Sequence, residues 1–590
     1  MSGRKILFFI SFVILTIAIS SCDSNKKTGS LHSVFEQYYE DKLRLNPLEA
    51  TSIGDARYND LLPVTISQSY KSALKGFYSK YLNLLKRHDR SILNENDKLS
   101  YDILKWECSI QLEELSFHTE LMPINQFESI PLFIAQMAGG TGVQPFKTVK
   151  DYDNWLGRLN AFCTWCDTAI LNLSQGMKAG YVLPEALADK VIIQFHSLDH
   201  GPVQEHLFYR PVNMMPADFP ESDKKRIKDA YLEIINNKII PVFSRFHDFF
   251  QNEYLQACRK TAGVYDIPNG KAYYEHLVKY FTTTDLTPDE IFDIGNREIA
   301  RISGEMEKVK TEVGYKGDLK SFFNFVRENK ALMPYKNADE VLQHFKTIHE
   351  TIKPKLKILF DLVPKTGFEV RRTEAFREKT ASAEYIEGTW DGTRPGIFYV
   401  PIPEVSKYNI FADEDLFLHE AIPGHHYQVS LQQEDTLLPK FRRSIDFCAY
   451  TEGWGLYSES LGKELGLYTD PYQYFGMLSM EMHRSIRLVV DVGIHYKKWT
   501  REQAIQFSLE HEAKPEQSII AEVERYMAYP GQALSYKIGQ LKILELRAKA
   551  EEKLGDKFNI REFHNKILDS GCLPLMVLEE KINHWIESVK

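Results

Sequence analysis

Along most of the chain apolar residues return every three to five positions, the spacing of helices that each bury one stripe. The pattern is clearest after Thr287-Pro288-Asp289-Glu290, where a Thr N-cap, a Pro at the first helical position and a Glu three residues past the cap form a capping box. In the helix that follows, Ile291, Ile294, Ile299, Ile302 and Met306 make the buried stripe, with Glu and Lys opposite. Similar patterns predict helices over 32–46, 67–88, 94–118, 150–173, 222–262, 338–362, 501–513, 534–553 and 573–588. Strand signals are few: 367–373 and 396–401 are short, β-branched or aromatic, and bounded by Gly and Pro, with a turn at 390–395 between them. The expected fold is therefore mainly α, a large multi-helical body of two lobes with a small β-sheet just before 411–433. No internal repeat interrupts it. A helical N-terminal lobe to about 265 and a C-terminal lobe are expected to share one continuous body.

Composition sets the size and compartment. Of 590 residues 43% are hydrophobic, enough for a large core, and 72 Lys and Arg against 81 Asp and Glu give a net charge of −9. The basic excess that a phosphate-backbone binder needs is missing, which argues against a nucleic-acid partner. Arg4 and Lys5 precede an apolar run from Ile6 to Ile19, short of the ~20 residues of a comfortable bilayer span. Residues 1–21 thus read as a signal peptide. Ile19-Ser20-Ser21-Cys22 resembles the bacterial lipobox, so Cys22 is expected to be acylated, residues 22–31 to form a tether, and the domain over 32–590 to sit on a lipid bilayer in the cell envelope. Cys163-Thr-Trp-Cys166 lies in an amphipathic stretch without a strand pattern and reads as a pair of core cysteines.

The chemistry concentrates in His419-Glu420-Ala-Ile-Pro423-Gly424-His425-His426. In the HExxH zinc motif two His four residues apart reach one ion and the Glu between them serves as base. Here the fourth residue on is Pro423, which binds no metal. On a regular helix His425 would face about 120° away from His419, and His426 would lie about 10.5 Å along the axis. Pro423 removes an amide and clashes with the preceding turn, and Gly424 tolerates the resulting backbone, so a widened turn is expected to bring His425 back as a second ligand, with His426 as the alternative. A third ligand must come from another element. Ala449-Tyr-Thr-Glu452-Gly-Trp-Gly-Leu-Tyr-Ser-Glu459 offers two carboxylates seven residues apart on one helical face; Glu452 is the choice, 33 residues after His419, and Glu459 is expected to hydrogen-bond a ligand imidazole from behind. Arg487, Asp491 and His495 follow one another at i,i+4 steps and suggest a buried Arg–Asp–His network that positions a substrate carboxylate or supports the site, a structural ion network being the competing reading. Tyr536 or Lys537, after a turn at 529–531, is placed to stabilise an oxyanion; core packing is the rival role for Tyr536.

These residues carry a family resemblance. HEAIPGHH and TEGW, with supporting stretches such as GTRPGIFYVP, RLVVDVGIHYKKW and YPGQALSYKIG, make the chain resemble domain-of-unknown-function family 885 from about Leu43 to near the C-terminus. The resemblance implies a helical, gluzincin-like fold with a deep cleft and a zinc-dependent peptidase activity. On that expectation His419, His425 and Glu452 hold Zn²⁺, Glu420 is the general base, and the 396–401 strand lies at the cleft as an edge that pairs with a short peptide substrate. A metal-dependent amidase and a non-catalytic, lipid-anchored peptide-binding protein are the alternatives.

Overall fold

A computed structural model describes residues 30–590 apart from 141, 375–377, 379–380 and 391–393. The signal peptide, Cys22 and nearly all of the tether lie outside the described residues. The expected helices form at Leu31–Leu45, Gln68–Leu85, Glu95–Glu114, Val149–Ala179, Ala338–Ile352, Arg501–His511, Ser535–Leu554 and Leu575–Val589. The capping box is made: Thr287 accepts from the Glu290 amide, and Glu290 accepts from the Thr287 amide at 2.8 Å, at the head of the Pro288–Glu312 helix. The 222–262 stretch forms one long rod that ends at Ala257, short of the expected bound, and in it two wide, π-helical turns, Ile235–Ile239 and Phe250–Tyr254, flank the Ile240–Phe249 helix. Helices at Glu185–His196, Gly270–Thr282 and Glu516–Ala528 complete the parts used below. Among the described residues no helix is long and apolar enough to cross a membrane.

The sheet has three strands, β1 (Phe368–Arg372), β2 (Glu384–Ile386) and β3 (Gly396–Val400), in the order β1-β3-β2. β1 runs parallel to β3, with Phe368 opposite Gly396, and β2 runs antiparallel, with Tyr385 opposite Phe398. This corrects the expected edge: the 396–401 strand is the middle one. Its nearly continuous burial, with Ile397, Phe398 and Val400 all buried, is what a strand paired on both sides requires.

Among the described residues three apolar cores hold the body together. The first joins the opening helices (Phe35, Tyr38, Tyr81, Ile103) to the far end of the chain (Phe441, Trp454, Leu575, Ile582). The second is contained within residues 62–254, and the third packs the Pro288–Glu312 helix against the Pro471–His495 helix around Ile302, Met306, Phe475 and Val489. The second core thus ends before residue 265, while the opening helices share the first core with the C-terminal half. Arg442 seals that union: fully buried, it donates to Asn96 Oδ1 at 2.8 Å and Ser100 Oγ at 3.1 Å. The six cysteines among the described residues are free thiols, and Cys166 is part of the second core.

Candidate metal centre

The Asp413–Glu420 helix opens with Asp413, Glu414 and Asp415, charges suited to a helix N-terminus, and ends at Glu420; the next helix starts at His425. The expected widened turn is a complete break, with a cis Ile422–Pro423 peptide inside it. Gly424 folds back so closely that a Cβ there would lie 1.9 Å from the His419 carbonyl oxygen and 2.3 Å from that of Leu418. Only glycine fits. Trp454 Nε1–H donates to the Pro423 carbonyl at 2.8 Å and fixes the break from the neighbouring helix. The outcome is that the His419 and His425 rings stand 4.6 Å apart, nearly perpendicular at 83°.

Glu452 arrives on the Cys448–Ser460 helix. This helix crosses Ser535–Leu554 at backbone distance, since a Cβ on Gly453 would sit 2.5 Å from Gly539. Gly455 makes room for the His419 ring in the same way, a Cβ there falling 2.7 Å from Cε1. Glu452 Oε2 then lies 3.5 Å from His419 Nε2 and 3.6 Å from His425 Nε2. The oxygen is buried and accepts no hydrogen bond. Two ligands held ~2.0–2.1 Å from one tetrahedral ion stand about 3.4 Å apart, so these separations are too long for hydrogen bonds and right for a shared Zn²⁺. The three candidate ligand atoms all lie within 4.8 Å of one another.

The electrostatics agree with a cation site. Burial opposes charge on His419, yet Glu452 and Glu459 push its pKa up to about 10; burial alone would raise Glu452, but the two facing imidazoles hold it well below the usual carboxylate range. Glu459, fully buried, accepts from His419 Nδ1–H at 2.7 Å, which turns Nε2 toward Glu452. Behind Glu459 stands Asp415, raised well above its ordinary value by burial and by Glu459 itself, with the Tyr468 hydroxyl donating to the Glu459 carbonyl at 2.9 Å. Sequence reading missed Asp415 and Tyr468. The signal available was a third acid in the first turn of the His419 helix.

The three ligand candidates border a cavity of about 510 Å³ that Glu420, Tyr536, Tyr385, Gln428, Arg443 and Arg484 also line. Glu420 is half-buried, and burial raises its pKa, with Glu452 adding and the imidazoles opposing. Tyr536 is kept protonated by burial and by the Glu452 charge, and the Arg487 guanidinium lies over its ring at 4.6 Å. His426 turns the other way. Its Nδ1 is 3.0 Å from the Tyr385 hydroxyl, its ring packs on Phe368, and burial lowers its pKa to about 4. Of the two histidines left open by the sequence, His425 is the one at the cluster.

The expected Arg–Asp–His network is not formed. Arg487 donates to Glu522 at 2.9 Å, Asp491 accepts from the Tyr274 hydroxyl at 2.6 Å, and His495 takes the Val264 amide at 3.1 Å and bonds the Tyr526 carbonyl at 2.9 Å. Each has a nearer partner on another helix than on its own. Lys537 is likewise set apart from the cavity, fully buried and paired with Glu481 at 2.6 Å and Glu298 at 2.9 Å. Two arginines line the cavity instead, Arg443 and Arg484; Arg484, one turn before Arg487, has a buried Nε without a hydrogen-bond partner.

The fold has solved relatives. A crystal structure from Colwellia psychrerythraea, described as a "putative lipoprotein", superposes with a TM-score of 0.88 at 28% identity, covering 95% of this chain and 99% of that one. A second, from Shewanella oneidensis and described as a "putative lipoprotein of unknown function", gives 0.72 at 18% identity over 94% and 99% of the two chains. No curated protein matches the chain. Residues 47–582 match the profile of DUF885, bacterial proteins of unknown function, and the chain belongs to that family.

Proposed function

We propose that the chain is a zinc-dependent hydrolase of peptide bonds, acting on short peptides and held on a membrane through an acylated Cys22. The observation that carries the reading is the approach of two imidazole Nε2 atoms, at 3.5 and 3.6 Å, to one otherwise unpartnered oxygen of Glu452. His419, His425 and Glu452 are the three protein ligands, the number that catalytic zinc sites use while keeping a position open. When bound, Zn²⁺ supplies Lewis acidity that brings the pKa of a water toward about 7. Glu420, next to a ligand and on the cavity wall, accepts a proton from the attacking water and delivers it to the leaving amine. Tyr536 donates its O–H to the developing oxyanion, its ring steadied by Arg487. Arg484 meets a substrate carboxylate, a role for which Arg487 is already committed to Glu522.

In this reading the body is a gluzincin-like fold and the cavity its substrate cleft. β2 is the sheet edge at that cavity, with Glu384 and Tyr385 among the lining residues, and an extended peptide adds to it as a further strand. The lipoprotein descriptions of the two solved relatives support the membrane anchor. The test is metal content by mass spectrometry, then cleavage of a mixed peptide library by wild type and Glu420→Gln. Bound zinc without cleavage by wild type refutes the peptidase reading and leaves an amidase or a peptide-binding protein. Labelling with an alkyne fatty acid that is unchanged in Cys22→Ala refutes the anchor.

A further inference from the structure

A second group of side chains able to hold a metal ion lies on the 62–254 core, built by residues that take no part in the cavity described above. The Glu185–His196 helix ends at His196, the chain turns through Asp199 and His200, and His247 comes from the Ile240–Phe249 helix. Asp199 Oδ2 is 3.2 Å from His196 Nδ1 and 3.1 Å from His247 Nδ1, while Oδ1 is 2.5 Å from His200 Nδ1. The rings of His200 and His247 each stand 4.8 Å from that of His196. The ligating atoms of His196, Asp199 and His247 all lie within 4.8 Å of one another, and Asp248 adds a carboxylate oxygen 3.9 Å from His247 Nδ1.

Three imidazoles converge on one carboxylate, two of them hydrogen-bonded to it, so ring nitrogens and a negative charge share one spot. Asp199 is the least exposed of the four, its side chain 8% accessible, whereas His196 and His200 keep more than half of theirs open to solvent. Surface histidines in that position gain little from crowding together, since imidazoles within one ring diameter repel as soon as more than one is charged. A divalent ion reverses the sign: it takes the lone pairs of neutral imidazoles and the negative charge of Asp199 together.

The scaffold beneath is rigid. Phe195 and Phe246, the residues just before His196 and His247, stack at 4.9 Å inside the core, and the loop is pinned where His206 Nε2 meets the Leu198 carbonyl at 3.0 Å. His247 also sits within a turn of the wide Phe250–Tyr254 segment, a backbone irregularity often kept for a site.

We propose that His196, Asp199, His200 and His247 form a second, exchangeable site for a borderline transition-metal ion such as Zn²⁺. Imidazoles and one carboxylate select Zn²⁺, Ni²⁺ or Cu²⁺ over Mg²⁺ and Ca²⁺, which take oxygen ligands. The ion clamps the end of the Glu185–His196 helix to the Ile240–Phe249 helix.

The experiment uses the tag-free full domain, stripped of metal and dialysed against buffered Zn²⁺, with stoichiometry by mass spectrometry and Co²⁺ absorption as a second readout. Wild type should take two equivalents, His419→Ala one, His247→Ala one, and the double variant none. His196→Gln is the second variant should His247→Ala fold poorly. In the His419→Ala background, added Zn²⁺ should raise the melting temperature, and His247→Ala should abolish that rise. One equivalent in wild type, unchanged in both His247→Ala and His196→Gln, overturns the second site and leaves the buried one standing. One equivalent that survives His419→Ala but not His247→Ala upholds the second site and overturns the buried one.

Discussion

Replacing Gly455 by Ala puts a methyl carbon 2.7 Å from His419 Cε1 and 3.0 Å from Nδ1. Carbon contacts are comfortable at about 3.5–4.0 Å, so the ring must retreat by about 1 Å. Metal–nitrogen bonds tolerate only about 0.2 Å, and the 2.7 Å bond that Glu459 accepts from Nδ1 would be stretched by the same movement. Loss of such a supporting bond alone lowers metal affinity by about 10–100-fold, and with the ligand displaced as well the fall should exceed 100-fold. The backbone does not suffer, because Gly to Ala inside a helix is worth about 1 kcal/mol in favour of folding. The assay is competition for Zn²⁺ against a chelator, beside a circular-dichroism melt. Gly304→Ala, where a Cβ would meet nothing within 4 Å, serves as the control. A folded Gly455→Ala protein with wild-type zinc affinity would show that His419 does not reach an ion through Nε2, and the three-ligand arrangement would fall.

Glu420→Gln should keep its zinc while peptide turnover drops by about 10²–10⁴-fold, measured on the best library substrate. In His426→Ala zinc content should not change; KM should rise as Tyr385 loses its 3.0 Å partner, and loss of the metal would move His426 into the ligand set. Lys537→Met removes the ammonium between Glu298 and Glu481 and should lower urea stability by about 3 kcal/mol without altering kcat at saturating substrate; a 100-fold loss of kcat would return Lys537 to the reaction. His564 is held neutral by burial, its pKa lowered to about 3, whereas an unfolded His titrates near 6.5. Between those values the unfolded chain binds more protons, so this contribution is full above pH 6.5 and is lost on acidification, by about 2 kcal/mol at pH 5. Asp491, raised to about 7 by burial, acts in the opposite direction over pH 4–7, so His564→Gln is compared with wild type at pH 7 and pH 5; equal losses in both would refute the assignment.

Local signals were read where local physics decides. The Thr287–Glu290 capping box, the stripe through Ile302 and Met306, and the β1 and β3 segments needed no knowledge of tertiary neighbours. The break at Pro423-Gly424 was legible because a missing amide and a missing Cβ act on their own turn. β2 was not: Glu384–Ile386 is three residues long and is a strand only because β3 lies beside it. Asp491 and His495 share a helical face with Arg487, as spacing required, but Tyr274 and the Tyr526 carbonyl reach them from other helices. Spacing gives the face and not the partner. The same limit favoured Arg487 over Arg484, one turn away on the same helix, and it divided Tyr536 from Lys537, about 100° apart on theirs.

Within eight positions the Cys448–Ser460 helix carries Glu452, the glycine that crosses Gly539, the tryptophan that grips Pro423, the gap for the His419 ring, and Glu459. Because Gly539 belongs to the helix that begins at Tyr536's own turn, any tilt of this hub carries ligand, imidazole tautomer and phenol along as one rigid body. On the proposed hydrolase reading, a new substrate range is therefore to be sought not in the hub but in the Ser382–Glu387 wall, which borders the same chamber and is fastened through β3.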